Sequence, residues 1–575
     1  MNKEKAMTKR ASVESTAEAY LELLAARGVE YFFANSGTDF APLIDAYAKR
    51  LSQGQALPRP MTIPHETPAV GMAHGYAMVT GRPQVVMVHV IVGAGNAVGG
   101  IINAARSNVP IIFSAGRNPL TESGLHGSRN RAIHWAQESF DQAGMIREFV
   151  KWDYELRNFT QLETVVDRAL SLAQAEPQGP IYLTLPREVL AEKQEVFEYA
   201  EASRAPRPAA VVAAPEAIAE TARLLAASRN PIIVTKAAGR DPRAVPALVK
   251  LAEALGAPVI DQFHTYVNFP QDHPLHAGFD ATPYLDDADC IVAVESDVLW
   301  YPALKAPRPE AKIVQIAVDP LFARYPIRGF PADAALSGTV SLNLVALAEA
   351  VRQRVDASSV GERTRRWHAE HRRLREAWAA TARKARSEKP LEMVWVSKCI
   401  GDLIDEKTIL VDEYDFDPTQ GCFRTPGTYF GSSPAGGLGW GLGAALGAKL
   451  AAPDKTVICC VGDGAYIFGA PTAAHFVSRA YNLPALFVIY NNRAWNAVKR
   501  AVQSHAPTGA GVKAATMPLS DLEPAPDYEM VCRASGGHAE RVEDPAALPE
   551  ALARALKVVR DEKRQALLNV ICKKP

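Results

Sequence analysis

Along the chain, short continuous runs of apolar and β-branched residues alternate with stretches of helical length. From about residue 14 to 190 the runs are YFFANSG (31–37), VVMVHVIVG (85–93), VPIIFSAG (109–116) and GPIYLTLP (179–186). Runs that are apolar throughout, rather than alternating, belong to strands buried on both faces, and the helical lengths between them supply crossovers of a parallel sheet. The pattern restarts after an Ala/Pro-rich linker, SRAPRPAAVVAAPEA (203–217), with PIIVTKAAG (231–239), GAPVIDQF (256–263), DCIVAVESD (289–297) and AKIVQIAVDP (311–320). It restarts again after the charged stretch GERTRRWHAEHRRLREAWAATARKARSEKP (361–390), whose interspersed Glu residues predict a solvated connector helix rather than a nucleic-acid arm. The last block holds TILVDEY (408–414), TVICCVGDGAY (456–466), LPALFVIYNN (483–492) and a terminal LLNVICKKP. The expected division is 1–195, 196–360, a connector at 361–390, and 391–575. The expected architecture is α/β, with three doubly wound parallel-sheet domains.

Composition narrows the partners. Lys plus Arg equals Asp plus Glu at 63 each over 575 residues, so neither nucleic acid nor an anionic membrane is favoured. A small molecule is the default ligand. The seven cysteines show no CxxC spacing, which fits reduced, buried thiols. No apolar h-region opens the chain and no run of about 18 apolar residues follows, so a cytoplasmic address is expected.

The sharpest chemical signal lies in the third block. TVICCVG delivers Gly462-Asp463-Gly464 at a strand's C-terminal end, where open α/β sheets bind ligands. ALFVIY delivers Asn491-Asn492, with 26 residues between the motifs, enough for one crossover helix. Asp and Asn oxygens are hard ligands suited to Mg²⁺, and the glycines let backbone N–H groups approach a diphosphate. Taken singly, each motif reads as a turn. Together, each after a buried strand, they favour a metal–diphosphate site.

These two motifs resemble the signature of the thiamine diphosphate enzymes of the acetolactate synthase, benzoylformate decarboxylase and pyruvate oxidase superfamily. The resemblance implies that Asp463, Asn492 and the carbonyl of Ala494 hold Mg²⁺, with Gly462, Gly464 and Ala465 at the cofactor. Gly436-Gly437-Leu438-Gly439 is similar to the segment that bends the cofactor, Leu438 wedging between its rings and the Gly436 carbonyl accepting from N4′. Pro64-His65-Glu66-Thr67 looks like the catalytic-glutamate segment, which makes Glu66 the acid at the pyrimidine N1′, its pKa raised by burial. The cofactor then carries the hard step at its thiazolium C2. The three domains are by this resemblance pyrimidine-binding, central and diphosphate-binding.

His89, 23 residues after Glu66, matches an active-site histidine of the benzoylformate decarboxylases, and Thr38 falls where that family has a substrate-binding serine. Both are expected to move protons. Ala497 and Val498 are expected to line the substrate pocket. Two departures stand out. The second histidine of that family has no match in SDVLWYP (296–302), and Glu413-Tyr414-Asp415-Phe416 replaces the small hydroxyl residues that usually touch the diphosphate. The superfamily's central domain binds FAD in some members and ADP in others, but without a GxGxxG the second block supports neither.

The implied activity is decarboxylation or carboligation of 2-oxo acids through an enamine, giving aldehydes or 2-hydroxy ketones; an acyl-CoA-type thiamine lyase is the alternative. The implied assembly is a homodimer or homotetramer with sites between chains. Two rival readings are an NADP-binding turn at Gly93-x-Gly95-x-x-x-Gly99 with Arg117, and a noncatalytic homologue, which would be expected to have lost Glu66 or Asp463.

Overall fold

The computed structural model describes residues 8–514 and 516–574. It contains three fully parallel sheets. The first runs, edge to edge, Arg59–Thr62, Tyr31–Asn35, Val85–Val88, Ile112–Arg117, Ile181–Pro186 and Asp153–Glu155. The third runs Tyr429–Gly431, Thr408–Glu413, Thr456–Gly462, Leu486–Asn491, Ala566–Ile571 and His538–Val542. Numbered by chain order within each block, both sheets read 2-1-3-4-6-5. The middle sheet is Val259–Asp261, Pro231–Thr235, Cys290–Val294, Lys312–Ala317 and Ala334–Ser337, or 2-1-3-4-5.

The inner strands are the apolar runs of the sequence, and their residues are buried on both faces. One run is shorter than expected. VVMVHVIVG stays extended only through Val88, and a helix, Val90–Arg106, begins at once. Gly93, Gly95 and Gly99 therefore lie inside a helix. The Gly93 N–H already donates to the His89 carbonyl (2.7 Å), which removes the strand-to-helix cradle that an NADP-binding turn requires. Strand Val196–Ala200 pairs antiparallel with Thr8–Ser12, so residues 196–200 pack with the first block, beyond the expected boundary at 195.

The charged stretch forms the helix Ala357–Ala385, capped by Asp356, whose side chain accepts from the Ser359 N–H (2.8 Å). It buries Trp367, Ala382 and Ala385 and exposes most of its charges. Among the described residues no helix is long and apolar enough to cross a membrane.

The first and third blocks share one apolar core. At its centre the helix Glu66–Thr80 crosses Trp440–Ala451 so closely that a Cβ on Gly447 would lie 2.0 Å from the Met72 carbonyl oxygen. Each of these helices follows the second strand of its own sheet. The middle sheet has a separate core. At its switch point Lys236 Nζ donates to both oxygens of Asp297 (2.7 Å each), and the Tyr325 hydroxyl donates to Asp297 Oδ2 (2.7 Å). That pair satisfies itself, while the same edge of the sheet opens on a cavity of about 960 Å³ bordered by Ala237, Arg240, Glu295, Val318 and Gly338.

Candidate functional site

In the first sheet the leading strand ends at Asn35 and its neighbour at Val88, and their connections leave in opposite directions. This is the switch point at which such sheets bind ligands. The loop after Asn35 brings in Thr38, exposed, and Asp39, 2% exposed. His89 caps the next helix, with Nδ1 2.5 Å from Asp39 Oδ1, and the Val90 N–H donates to the other Asp39 oxygen (3.4 Å). Two glycines make the room. A Cβ on Gly37 would lie 2.1 Å from His89 Nδ1, and one on Gly116 1.8 Å from Asp39 Oδ2. The hydrogen bond to Asp39 raises the His89 pKa, and the charges of Asp39 and Glu66 add to it against the opposing effect of burial. Val90, at φ +35°, holds a conformation that is costly for a β-branched residue, directly beside this pair.

Glu66 opens its helix at 5% exposure, behind a His65 cap that accepts from the Thr67 N–H (3.1 Å). Its Oε2 accepts from Asn96 Nδ2 (3.3 Å), and a Cβ on Gly93 would come within 3.1 Å of Oε1. Glu66, His89, Asp39 and Thr38 thus form one cluster at the C-terminal edge of the first sheet.

The second cluster lies at the same edge of the third sheet. Asp463 starts the helix Asp463–Phe468 at 1% exposure, and Asn492 follows strand Leu486–Asn491 at 2%. Asp463 Oδ2 and Asn492 Oδ1 are both buried without a hydrogen-bond partner. Native structures rarely leave such oxygens unsatisfied, and a hard divalent cation would use both. Burial pushes the Asp463 carboxyl up to about 6, against hydrogen bonds from the backbone N–H groups of Gly464 and Arg493. Asn491 does a different job: its Oδ1 accepts from the Arg493 N–H (3.2 Å) while its Nδ2 donates to Asn569 (3.0 Å). Arg493 turns at φ +57°, and its carbonyl accepts from the Leu522 N–H (2.9 Å), which fixes the peptide leading to buried Ala494. Ala465 is buried in the first turn after Asp463, whereas Ala497 and Val498 lie exposed on the helix Asn496–His505.

Gly462 and Gly464 admit close neighbours, since added Cβ atoms would lie 2.6 Å from Asp415 Oδ2 and 2.4 Å from the Trp495 ring. Asp415 therefore stands where a hydroxyl residue was expected. Burial raises its pKa well above the usual carboxylate range, and the neighbouring charges of Asp412 and Asp463 push the same way. Glu413 does not face the cofactor side at all. Fully buried, it accepts from the N–H groups of Gly439 (2.6 Å) and Gly441 (2.6 Å), anchoring the start of the helix after Leu438. Its carboxyl is pushed up to about 7 by burial, with those N–H groups pulling the other way.

The segment carrying Gly436 and half-buried Leu438 is tied to the first block: Asn103 Nδ2 donates to the Gly437 carbonyl (2.7 Å) and the Gly437 N–H donates back to Asn103 Oδ1 (3.0 Å). Asp39 and Asn103 do not stand out in the sequence, and Glu413 does so only as part of the departure at 413–416. Asp39 had a signal, standing next to Thr38 after a strand; Asn103 inside a helix had none.

Residues 14–145, 218–347 and 419–570 match, in order, the N-terminal TPP binding domain, the central domain and the C-terminal TPP binding domain of the thiamine pyrophosphate enzymes. The chain belongs to this family. The enzyme is 29% identical to a benzoylformate decarboxylase of Pseudomonas aeruginosa over 84% of this chain and 86% of that one. It is 25% identical to the acetolactate synthase isozyme 3 large subunit of Escherichia coli, over 96% and 93% of the two chains. In structure it resembles the thiamine diphosphate-dependent 4-hydroxybenzoylformate decarboxylase of Rhodococcus jostii RHA1, with a TM-score of 0.78 over 98% of this chain and 99% of that one at 23% identity. That last likeness concerns the fold.

Proposed function

We propose a division of labour between the two clusters of this thiamine diphosphate-dependent 2-oxo acid decarboxylase and carboligase. When bound, the cofactor supplies an electron sink for cleavage of a bond next to a carbonyl. The third sheet binds it: Asp463, Asn492 and the Ala494 carbonyl hold Mg²⁺, and N–H groups at the start of the helix Asp463–Phe468 face the diphosphate, with Gly462, Gly464 and Ala465 alongside. Gly436 and Leu438 hold its bend. On the first sheet, Glu66 would hydrogen-bond to its pyrimidine ring and so act as the activating acid. His89 and Thr38 hold and deliver a proton at the substrate's carbonyl oxygen. Ala497 and Val498 border the substrate.

The observation that carries this reading is the pair of buried oxygens without partners on Asp463 and Asn492, at the edge where diphosphates bind. The reading places two copies of the chain around each site. Exposed Leu125, Trp135 and Phe140 of the first block and Phe468 of the third support a homodimer, or a homotetramer built from it. Seven unpaired and mostly buried thiols support a cytoplasmic address.

The test is a panel of pyruvate, branched-chain and phenyl-substituted 2-oxo acids, with and without thiamine diphosphate and Mg²⁺, followed by CO₂ release and product mass. Cofactor-dependent CO₂ release is expected, and the product mass separates aldehyde from 2-hydroxy ketone. Bound cofactor with no CO₂ from any acid contradicts the decarboxylase reading and points to aldehyde ligation or acyl-CoA chemistry.

A further inference from the structure

We propose that Asp39 is a positioning residue for the proton chemistry, clamping His89 through Nδ1 so that Nε2–H is the group presented to substrate. The inference rests on the role given to His89 above and names what makes that histidine an acid. Three observations converge. Asp39 is 2% exposed and meets Nδ1 at 2.5 Å, so Nδ1 carries a proton and donates it to the carboxylate. Room for the pair is cut into the backbone at Gly37 and Gly116, where any side chain would strike one partner or the other. On the opposite side of the ring, Gln137 Nε2 stands 3.4 Å from His89 Nε2 while Gln137 Oε1 is buried without a donor. With Nδ1 held by Asp39, Nε2 is the ring nitrogen left to exchange a proton.

The other groups around His89 do not cancel this. Glu66, at the start of its own helix, acts in the same direction as Asp39. Buried His134, on the short helix Ile133–Ala136, couples to His89 in the opposite direction, but its own pKa is lowered by burial and by Arg187, Arg129 and Arg131, so it stays neutral at neutral pH. Proton donation to an oxyanion at the substrate carbonyl transfers the Nε2 proton to that oxygen. The electron pair of the N–H bond stays on the ring, which becomes neutral with Nδ1–H still bound to Asp39.

The sign of the pH dependence follows. A raised pKa keeps the imidazolium to higher pH, so activity that needs it falls on the basic side, and loss of Asp39 moves that fall to lower pH. The test titrates protein labelled with ¹³C at histidine Cε1, assigning His89 by its absence in His89→Gln, and compares the result with Asp39→Asn, which preserves shape. The wild-type His89 midpoint is expected above the ordinary imidazole value of about 6.5. In Asp39→Asn it is expected to fall by about one pH unit or more, with the basic limb of the kcat profile moving alongside and KM changing less. A wild-type midpoint at or below the ordinary value overturns the proposal even if Asp39→Asn does not fold. An unmoved midpoint in a folded Asp39→Asn overturns it too. The titration needs neither cofactor nor substrate, so a shifted midpoint in a protein inactive on every 2-oxo acid would break the functional reading and leave the His89–Asp39 coupling standing.

Discussion

In the first sheet, the loop after the leading strand carries Asp39 to His89; in the third, the loop in the same topological position carries Asp415 to Gly462, beside Asp463. The strand order is the same, and in both an aspartate presses against a glycine of another strand, Gly116 two strands away in the first sheet and Gly462 on the adjacent strand in the third. The difference is the partner. Asp39 has a base beside it and forms a unit that can hold and release a proton. Asp415 and Asp463 have no ion-pair partner among the described residues, and the charge of Asp463 helps to push the Asp415 pKa up. The middle sheet is a third case, where Lys236 and Asp297 neutralise each other beside an open cavity. One architecture thus carries an Asp–His pair, two aspartates without a cationic partner and a Lys–Asp pair, which differ in the charge left uncompensated.

That contrast can be broken at several points. On the proposed division of labour, Glu66→Gln should lower turnover by about 10²- to 10⁴-fold while leaving cofactor affinity nearly unchanged. Steady-state rates beside calorimetric titration decide this, and retained turnover removes Glu66 from the chemistry. Asp463→Ala should abolish the rise in Tm that thiamine diphosphate and Mg²⁺ together give the wild type. Removing groups behind a metal ligand costs about 10- to 100-fold in affinity, and losing a ligand costs more. Lys236→Met leaves Asp297 buried and unpaired, at a cost of about 3–5 kcal/mol in denaturant unfolding, with cofactor affinity of the folded protein unaltered. Weakened cofactor binding would show that the middle sheet bears on the cofactor site. Gly447→Ala, at the crossing of the two equivalent helices, should cost about 1–3 kcal/mol through overpacking, and a neutral result would mean the helices can separate freely.

The inner strands were legible because burial on both faces demands uninterrupted apolar runs, as in Thr456–Gly462 and Leu486–Asn491. Arg59–Thr62, Asp153–Glu155, Ala334–Ser337, Tyr429–Gly431 and His538–Val542 were not picked out, and every one is a sheet edge. An edge strand is short and has fewer neighbours, so it carries little of that signal. Asp463 and Asn492 were visible because each follows a buried run directly. Asp39 and Asn103 were not, because their meaning lies in contacts 50 and 334 residues away that no local pattern encodes. Glu413-Tyr414-Asp415 stands out in the sequence as a departure, but only the fold shows Glu413 bonded to the start of a helix and Asp415 against Gly462, beside Asp463.

The central claim is that the third sheet's uncompensated oxygens take a cation and, through it, the diphosphate. Calorimetric titration of the purified wild type with thiamine diphosphate, once with Mg²⁺ and once with a chelator, tests it most directly. Saturable binding with Mg²⁺ that is lost in the chelator is the predicted result. Equal binding in both would mean that Asp463 and Asn492 hold no cation, and the account of this crevice would be wrong.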